Sequence, residues 1–303
     1  MIFVTTFDKK YYTRGITMLD SLIENSQNPK IFILALDSIT HDCLTSLYNN
    51  NPNIIVLNEL AINNCDLSKL KTTRKYFEYC WALSSILCNY VLSNHNEDVI
   101  YVDADLYFFS EVESLITECK LGDTAITPHR FSHKYSKLIK NGIYNVQWVY
   151  FKNNANGRRI SADWMQNCIV STSYDVEAGI VGDQKYLDEW SQKFTNVKII
   201  ENIGAGVAPW NQENYTFRQK DKLVIIDDQF QLIFFHFHSL KVLLNKFVIL
   251  SDSTYNIGRK TKNIIYIKYL NEYNKRILGK ENNSNLIILP RFVSKLVLYF
   301  YKS

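Results

Sequence analysis

Val99-Ile100-Tyr101-Val102-Asp103-Ala104-Asp105-Leu106-Tyr107-Phe108-Phe109 joins an apolar run of strand length to two carboxylates two positions apart, and then to an aromatic run. An uninterrupted apolar strand suits a parallel sheet covered by helices on both faces. In open α/β sheets ligands bind beyond the carboxyl ends of the strands, where Asp103 and Asp105 fall. Two hard oxygen donors there can hold a divalent cation while leaving positions for substrate phosphates. D-x-D alone also fits a solvated turn. The strand before it and the aromatic run after it favour the metal site.

Working outward, the preceding residues alternate strand and helix patterns. Ile2–Phe7 reads as a strand, and Tyr12–Asn25 as a helix with Ile16, Leu19, Leu22 and Ile23 on one face. Ile31–Leu36 is a second strand ending at Asp37, a helix near Thr40–Asn50 follows, and Ile54–Leu57 is a third strand. This βαβαβ order predicts a mostly parallel sheet flanked by helices. Tyr76–Ser93 reads as a buried helix before the fourth strand, Val99–Val102. Beyond residue 145 the pattern is mixed, with strands at Val146–Phe151, Val197–Ile200 and Leu223–Ile226 and a helix near Asp163–Cys168.

Composition excludes several classes. Apolar residues at 47% and charged residues at 21% fit a globular chain with a sizeable core rather than a disordered one. A formal charge of only +4, without a basic stripe, argues against nucleic acid as a partner. Six cysteines form no zinc spacing and read as reduced, buried thiols. The N-terminal run is too quickly polar for a signal peptide and no stretch is long enough to span a bilayer, so a cytoplasmic protein is expected.

The D-x-D segment and the opening strand resemble the nucleotide-sugar glycosyltransferases of the GT-A fold, in particular the family 8 type and related bacterial surface-polysaccharide transferases. The resemblance covers roughly residues 1–240 and implies a Rossmann-like sheet. The nucleotide-binding half would span about 1–110 and the acceptor half about 111–240. It implies that Asp103 and Asp105 hold Mn2+ or Mg2+ on the donor diphosphate, with Asp103 also meeting the donor. Gly142-Ile143-Tyr144-Asn145-Val146-Gln147-Trp148 is similar to the family's asparagine-bearing segment beside the donor sugar, which points to Asn145; a structural Asn at a strand start is the alternative. Gly182-Asp183-Gln184-Lys185 matches a D-Q pair, so Asp183 and Gln184 grip sugar hydroxyls or Asp183 serves as base; a helix N-cap is the other role open to Asp183.

Phe234-Phe235-His236-Phe237-His238-Ser239-Leu240-Lys241 is similar to the late H-F-x-G-x-x-K segment. By that match His236 completes the metal shell and Lys241 meets the diphosphate. Ser239 stands where the family has Gly, the Lys comes one position early, and no Pro-Trp follows. His238 remains a rival, because strand alternation puts both imidazoles on one face. Thr5, Thr6 and Asp37 sit at strand ends where the resemblance puts the nucleobase and ribose, and Arg74 is a further phosphate candidate. Trp210 and Asn211, after a small-residue loop, are candidates for an acceptor platform, a packed ring being the alternative.

The expected reaction is transfer of a sugar from a nucleotide-diphosphate donor, in the first instance a UDP-sugar, to a glycan or lipid-linked acceptor. Family 8 implies retention of configuration; inversion with Asp183 as base stays open. Residues 241–303 form a basic, aromatic C-terminal helical appendage with a hinge at Glu281–Asn285. Its Leu286–Tyr301 stretch suits either an interfacial helix on an anionic membrane or packing on the domain. Abundant Asn, Lys and Ile suggest an AT-rich bacterial genome and, with this tail, a setting in capsule, O-antigen or lipooligosaccharide synthesis. Two rivals are a sugar nucleotidyltransferase, against which Thr5–Lys10 offers no glycine-rich loop, and a non-catalytic carbohydrate-binding protein on a decayed transferase fold.

Overall fold

The computed structural model describes residues 1–62, 67–176, 179–277 and 286–302. The expected hinge at Glu281–Asn285 and the thiol of Cys65 lie outside the described residues; the other five cysteines are free. The chain opens β1 (Ile2–Phe7), α1 (Tyr12–Glu24), β2 (Lys30–Ala35), α2 (Ser38–Tyr48), β3 (Ile54–Leu57), α3 (Leu67–Thr73), α4 (Tyr76–Asn94), β4 (Val99–Val102), β5 (Leu106–Phe108), α5 (Glu113–Cys119), β6 (Thr124–Pro128), β7 (Tyr144–Phe151) and α6 (Ala155–Val170). There follow β8 (Tyr174–Asp175), β9 (Ile180–Val181), α7 (Trp190–Lys193) and β10 (Val197–Ile199).

The central sheet has seven strands in the order β10-β6-β7-β4-β1-β2-β3. Strands β3, β2, β1 and β4 run parallel, and β7 is antiparallel to both of its neighbours. The strand order reverses between β1 and β4, because β2 and β3 build outward and α4 carries the chain back. That reversal opens a crevice at the carboxyl ends of β1 and β4, and Asp103 and Asp105 follow β4 directly. The sheet is buried on both faces: α4 and α6 cover one, packing Leu83, Leu87 and Trp164, and α1 and α5 cover the other, packing Leu19, Leu22 and Leu115.

The remaining chain supplies β11 (Phe217–Lys220), β12 (Leu223–Ile226), β13 (Phe230–Gln231), β14 (Phe234–His236), β15 (Lys241–Leu243), β16 (Phe247–Ile249), α8 (Arg259–Thr261), α9 (Ile267–Lys275), β17 (Ile287–Ile288) and α10 (Arg291–Lys302), with a π-helical stretch, Lys262–Tyr266, joining α8 to α9. The expected boundary at residue 240 runs through a third apolar cluster. There Tyr107, Phe109, Phe235 and Phe237 pack with Tyr266, Tyr269 and Tyr273. Arg14 of α1 donates to the Leu240 carbonyl at 2.6 Å, and Arg276 pairs with Asp20. The segment through residue 277 is thus packed onto the sheet domain by aromatic burial and by ties to α1. Among the described residues no helix is long and apolar enough to cross a membrane.

Candidate active site

Strand pairing assembles the site. β14 pairs antiparallel with β5, setting His236 opposite Leu106, and the Phe237 backbone N–H donates to the Asp105 carbonyl at 2.9 Å. His236 Nε2 therefore lies 3.0 Å from Asp105 Oδ1 and 3.9 Å from Asp103 Oδ2. One ligand atom from each of these three residues falls within 4.8 Å of the others. Two carboxylates and an imidazole form a donor set suited to Mn2+ and, less closely, to Mg2+. Ser239, where the resemblance expects Gly, has φ of 61°, the left-handed backbone that Gly adopts most easily.

Gln147 is the residue the sequence reading passed over. Its side-chain Oε1 accepts from His236 Nδ1 at 3.0 Å, which leaves Nε2 facing the carboxylates. Its own Nε2 is buried without a partner among the described residues. A signal existed: Asn145 and Gln147 alternate on one face of an otherwise apolar strand, and both are buried. Behind Gln147 a polar chain continues. Asn145 Oδ1 accepts the Gln147 backbone N–H at 3.0 Å, and Asn145 Nδ2 donates to Gln184 Oε1 at 3.0 Å and faces His129 Nε2 at 3.1 Å. Gln184 Nε2 in turn donates to the Asn141 carbonyl at 2.8 Å. Asn145 and Gln184 thus lie together, each engaged with the other.

Burial pushes the Asp103 carboxyl up, reinforced by the charge of Asp105 and opposed by His236. Burial acts on Asp105 in the same sense, but the charge and hydrogen bond of His236, with His238 and Arg14, hold it low. His236 is pulled down by burial and raised overall by the charge and hydrogen bond of Asp105 and by the charge of Asp103. His238 sits outside the triad. Burial and the neighbouring His236 lower it to about 4, and its ring lies 5.5 Å from both His236 and Trp210.

Asp183 is buried, accepts from Ser84 Oγ at 2.6 Å and is pushed up to about 7 by burial, with a contribution from Asp103. It is not a helix cap; the short helical turn Lys185–Glu189 begins after Gln184. Gly182 has φ of 59°, and a Cβ there would come within 3.0 Å of the Trp81 ring. That backbone turns Asp183 inward instead of toward the following helix.

Other expected residues are engaged elsewhere. Trp210 is 2% exposed, and its indole N–H donates to the His129 carbonyl at 2.9 Å, while the Asn211 amide donates to the carbonyls of His129 and Gly206. Buried indole and amide groups need such partners, so the pair stiffens the loop behind His236 and offers no open acceptor platform. Arg74 donates to Cys168 and Ile169 carbonyls and to Thr172, tying α4's start to the end of α6. Asp37 caps α2, and Thr6 donates to the Leu34 carbonyl. Thr5 Oγ1 is buried without a partner. Lys241 is half-buried at the start of β15. Arg14, which no local pattern marks, adds a positive charge close enough to lower Asp105 and lies 4.3 Å from the Tyr11 ring.

No family model matches the chain. Two uncharacterized proteins of Bacillus subtilis (strain 168) are similar to it. YfnF is 30% identical over 252 residues, covering 80% of this chain and 82% of YfnF. YfnD is 29% identical over 249 residues, covering 80% and 79%. Among solved structures, the galactosyltransferase LgtC in complex with donor and acceptor sugar analogues superposes with a TM-score of 0.56 at 12% identity, covering 93% of this chain and 98% of LgtC. At that identity the likeness is one of fold, the GT-A glycosyltransferase fold.

Proposed function

Because the chain belongs to the same family as Bacillus subtilis YfnF and has the GT-A glycosyltransferase fold, we propose that it transfers a sugar from a nucleotide-diphosphate donor to an acceptor hydroxyl. The observation that carries the reading is the triad of Asp103, Asp105 and His236 at the reversal of strand order, with the imidazole oriented by Gln147. These three residues would hold Mn2+ or Mg2+, which when bound offsets the charge gathering on the departing diphosphate.

The chain's own residues do the positioning. Gln147 keeps His236 Nε2 directed at the carboxylates. The Asn145–Gln184 pair and Asp183 present amide and carboxyl groups to sugar hydroxyls, and Arg14 adds a fixed positive charge beside the diphosphate position. Thr5 Oγ1 is a free hydroxyl on the nucleoside side, and Lys241 a further cation for phosphate. The donor is a UDP-sugar and the transfer retaining on this reading, with a glycan or lipid-linked acceptor of bacterial surface polysaccharide. Residues 1–240, with the segment through residue 277 packed on them, form the catalytic unit, and α10 is its link to an anionic membrane surface. The intact triad favours catalysis over a decayed carbohydrate-binding role.

The test is thermal stabilisation by a panel of nucleotide sugars with and without Mn2+. A metal-dependent rise with at least one donor is expected. No rise with any donor in the presence of Mn2+ refutes the proposal.

A further inference from the structure

Away from the triad, a second concavity of about 350 Å3 lies between residues 250–257 and α10. That is room for a small organic ion. Lys262 and Arg291 line it, and neither forms an ion pair or side-chain hydrogen bond among the described residues. Ser251 lines it too. It is 8% exposed, and its Oγ has no hydrogen-bond partner among the described residues. Leaving such a buried hydroxyl unsatisfied is unfavourable, and an oxygen-rich ligand would remove that cost.

The charge balance selects an anion. Asp252 is the carboxylate among the lining residues, and it is engaged by the Thr254 backbone N–H at 2.8 Å. Two cations therefore line the cavity against one carboxylate, which leaves the lining net positive. Leu250, Ile257, Ile288 and Leu298 complete the walls, so an apolar group is accommodated beside the anion. On α10, Phe292 and Leu296 are 69% and 56% exposed one turn apart, extending the apolar surface outward. Inward, the Tyr255 ring lies 6.0 Å from His238 and 6.2 Å from Trp210, and Trp210 lies 5.3 Å from His236. A short aromatic partition separates the cavity from the triad.

We propose that this cavity binds the phosphate of an amphiphilic phosphate ester. On the transferase reading, from which this further identification follows, the ester is a lipid-linked acceptor anchored here by its phosphate. The phosphate contacts Lys262, Arg291 and the Ser251 hydroxyl, and the first part of the chain lies against the apolar wall.

Calorimetric titration with n-octyl phosphate, below its micellar range, tests it. Saturable binding is expected, weakened about tenfold or more in the Lys262→Glu/Arg291→Glu double variant. Arg291→Gln alone, at an exposed position, gives a smaller loss and guards against misfolding of the double variant. Equal affinity for n-octyl glucoside, or an unchanged affinity in the double variant, overturns the phosphate assignment. Equal affinity for inorganic phosphate overturns the amphiphile assignment and leaves a free-anion pocket. Mn2+ and UDP titrated into the same protein report on the triad separately. Loss of that signal with octyl phosphate binding intact rejects the transferase reading and not the cavity; the reverse result rejects the cavity alone.

Discussion

Two strands of the same parallel sheet end in aspartate, and their fates differ. After β2, Asp37 accepts the backbone N–H groups of Thr40 and Lys9 and the Thr40 hydroxyl, at 2.7 to 2.9 Å. Those bonds hold its carboxyl below the usual range against the opposing effect of burial. After β4, Asp103 and Asp105 meet a phenol and an imidazole instead, Tyr101 and His236. One carboxylate is consumed by the backbone and stabilises a helix start. The other two keep acceptor capacity facing a crevice. The difference teaches that position at a strand end marks a candidate, and that unclaimed lone pairs distinguish a binding carboxylate from a capping one.

The comparison breaks most visibly at Asp105. Asp105→Asn keeps the shape and removes the charge, so transfer should fall by about 1,000-fold or more with the fold intact by circular dichroism. Wild-type turnover would remove Asp105 from the metal site. Next in size, Gln147→Ala should weaken Mn2+ binding by about 10- to 100-fold, because His236 loses the acceptor that orients its ring; an unchanged titration would make Gln147 a packing residue. At Asp183 the effect is on stability. Its carboxyl in the fold is held near 7, above its ordinary 3.8, so folding favours the neutral form. The contribution of the group is therefore full below about pH 3.8 and is lost as pH rises through about 7. Asp183→Asn should accordingly stabilise the metal-free protein by about 2 kcal/mol at pH 8, with a smaller gain at pH 5; a gain independent of pH would contradict the cause. Smallest, Asp37→Ala should cost about 1 kcal/mol of stability in a denaturant titration. If the capping role is its whole role, donor affinity stays unchanged; a large loss of affinity would join Asp37 to the site.

The first half of the chain was legible because buried parallel strands advertise themselves. β1, β3 and β4 span the same residues in sequence and structure, since apolar runs bounded by polar turns leave little choice of register. His236 was legible through the H-F-x segment, although only the β5–β14 register puts it rather than His238 against Asp105. For Trp210 and Asn211 the sequence leaves an acceptor platform and a packed ring equally open, because a small-residue loop beside a Trp looks the same whether the ring is packed or offered; the ring is packed. For Asp183 the sequence leaves a helix cap and a sugar-site role both open, and the left-handed turn at Gly182 carries the side chain inward. Arg14 was invisible to local pattern, since its partner is the Leu240 carbonyl, 226 positions away.

The pairing of β5 with β14 has a consequence for how the molecule comes to life. Leu106 and His236 belong to stretches separated by more than a hundred residues, so a ribosome emits both aspartates long before the imidazole. During that interval the nascent sheet carries two neighbouring carboxylates and no third ligand. On the proposed function, competence for metal would arrive late in synthesis, and chains cut short before β14 would lack the third ligand of the triad.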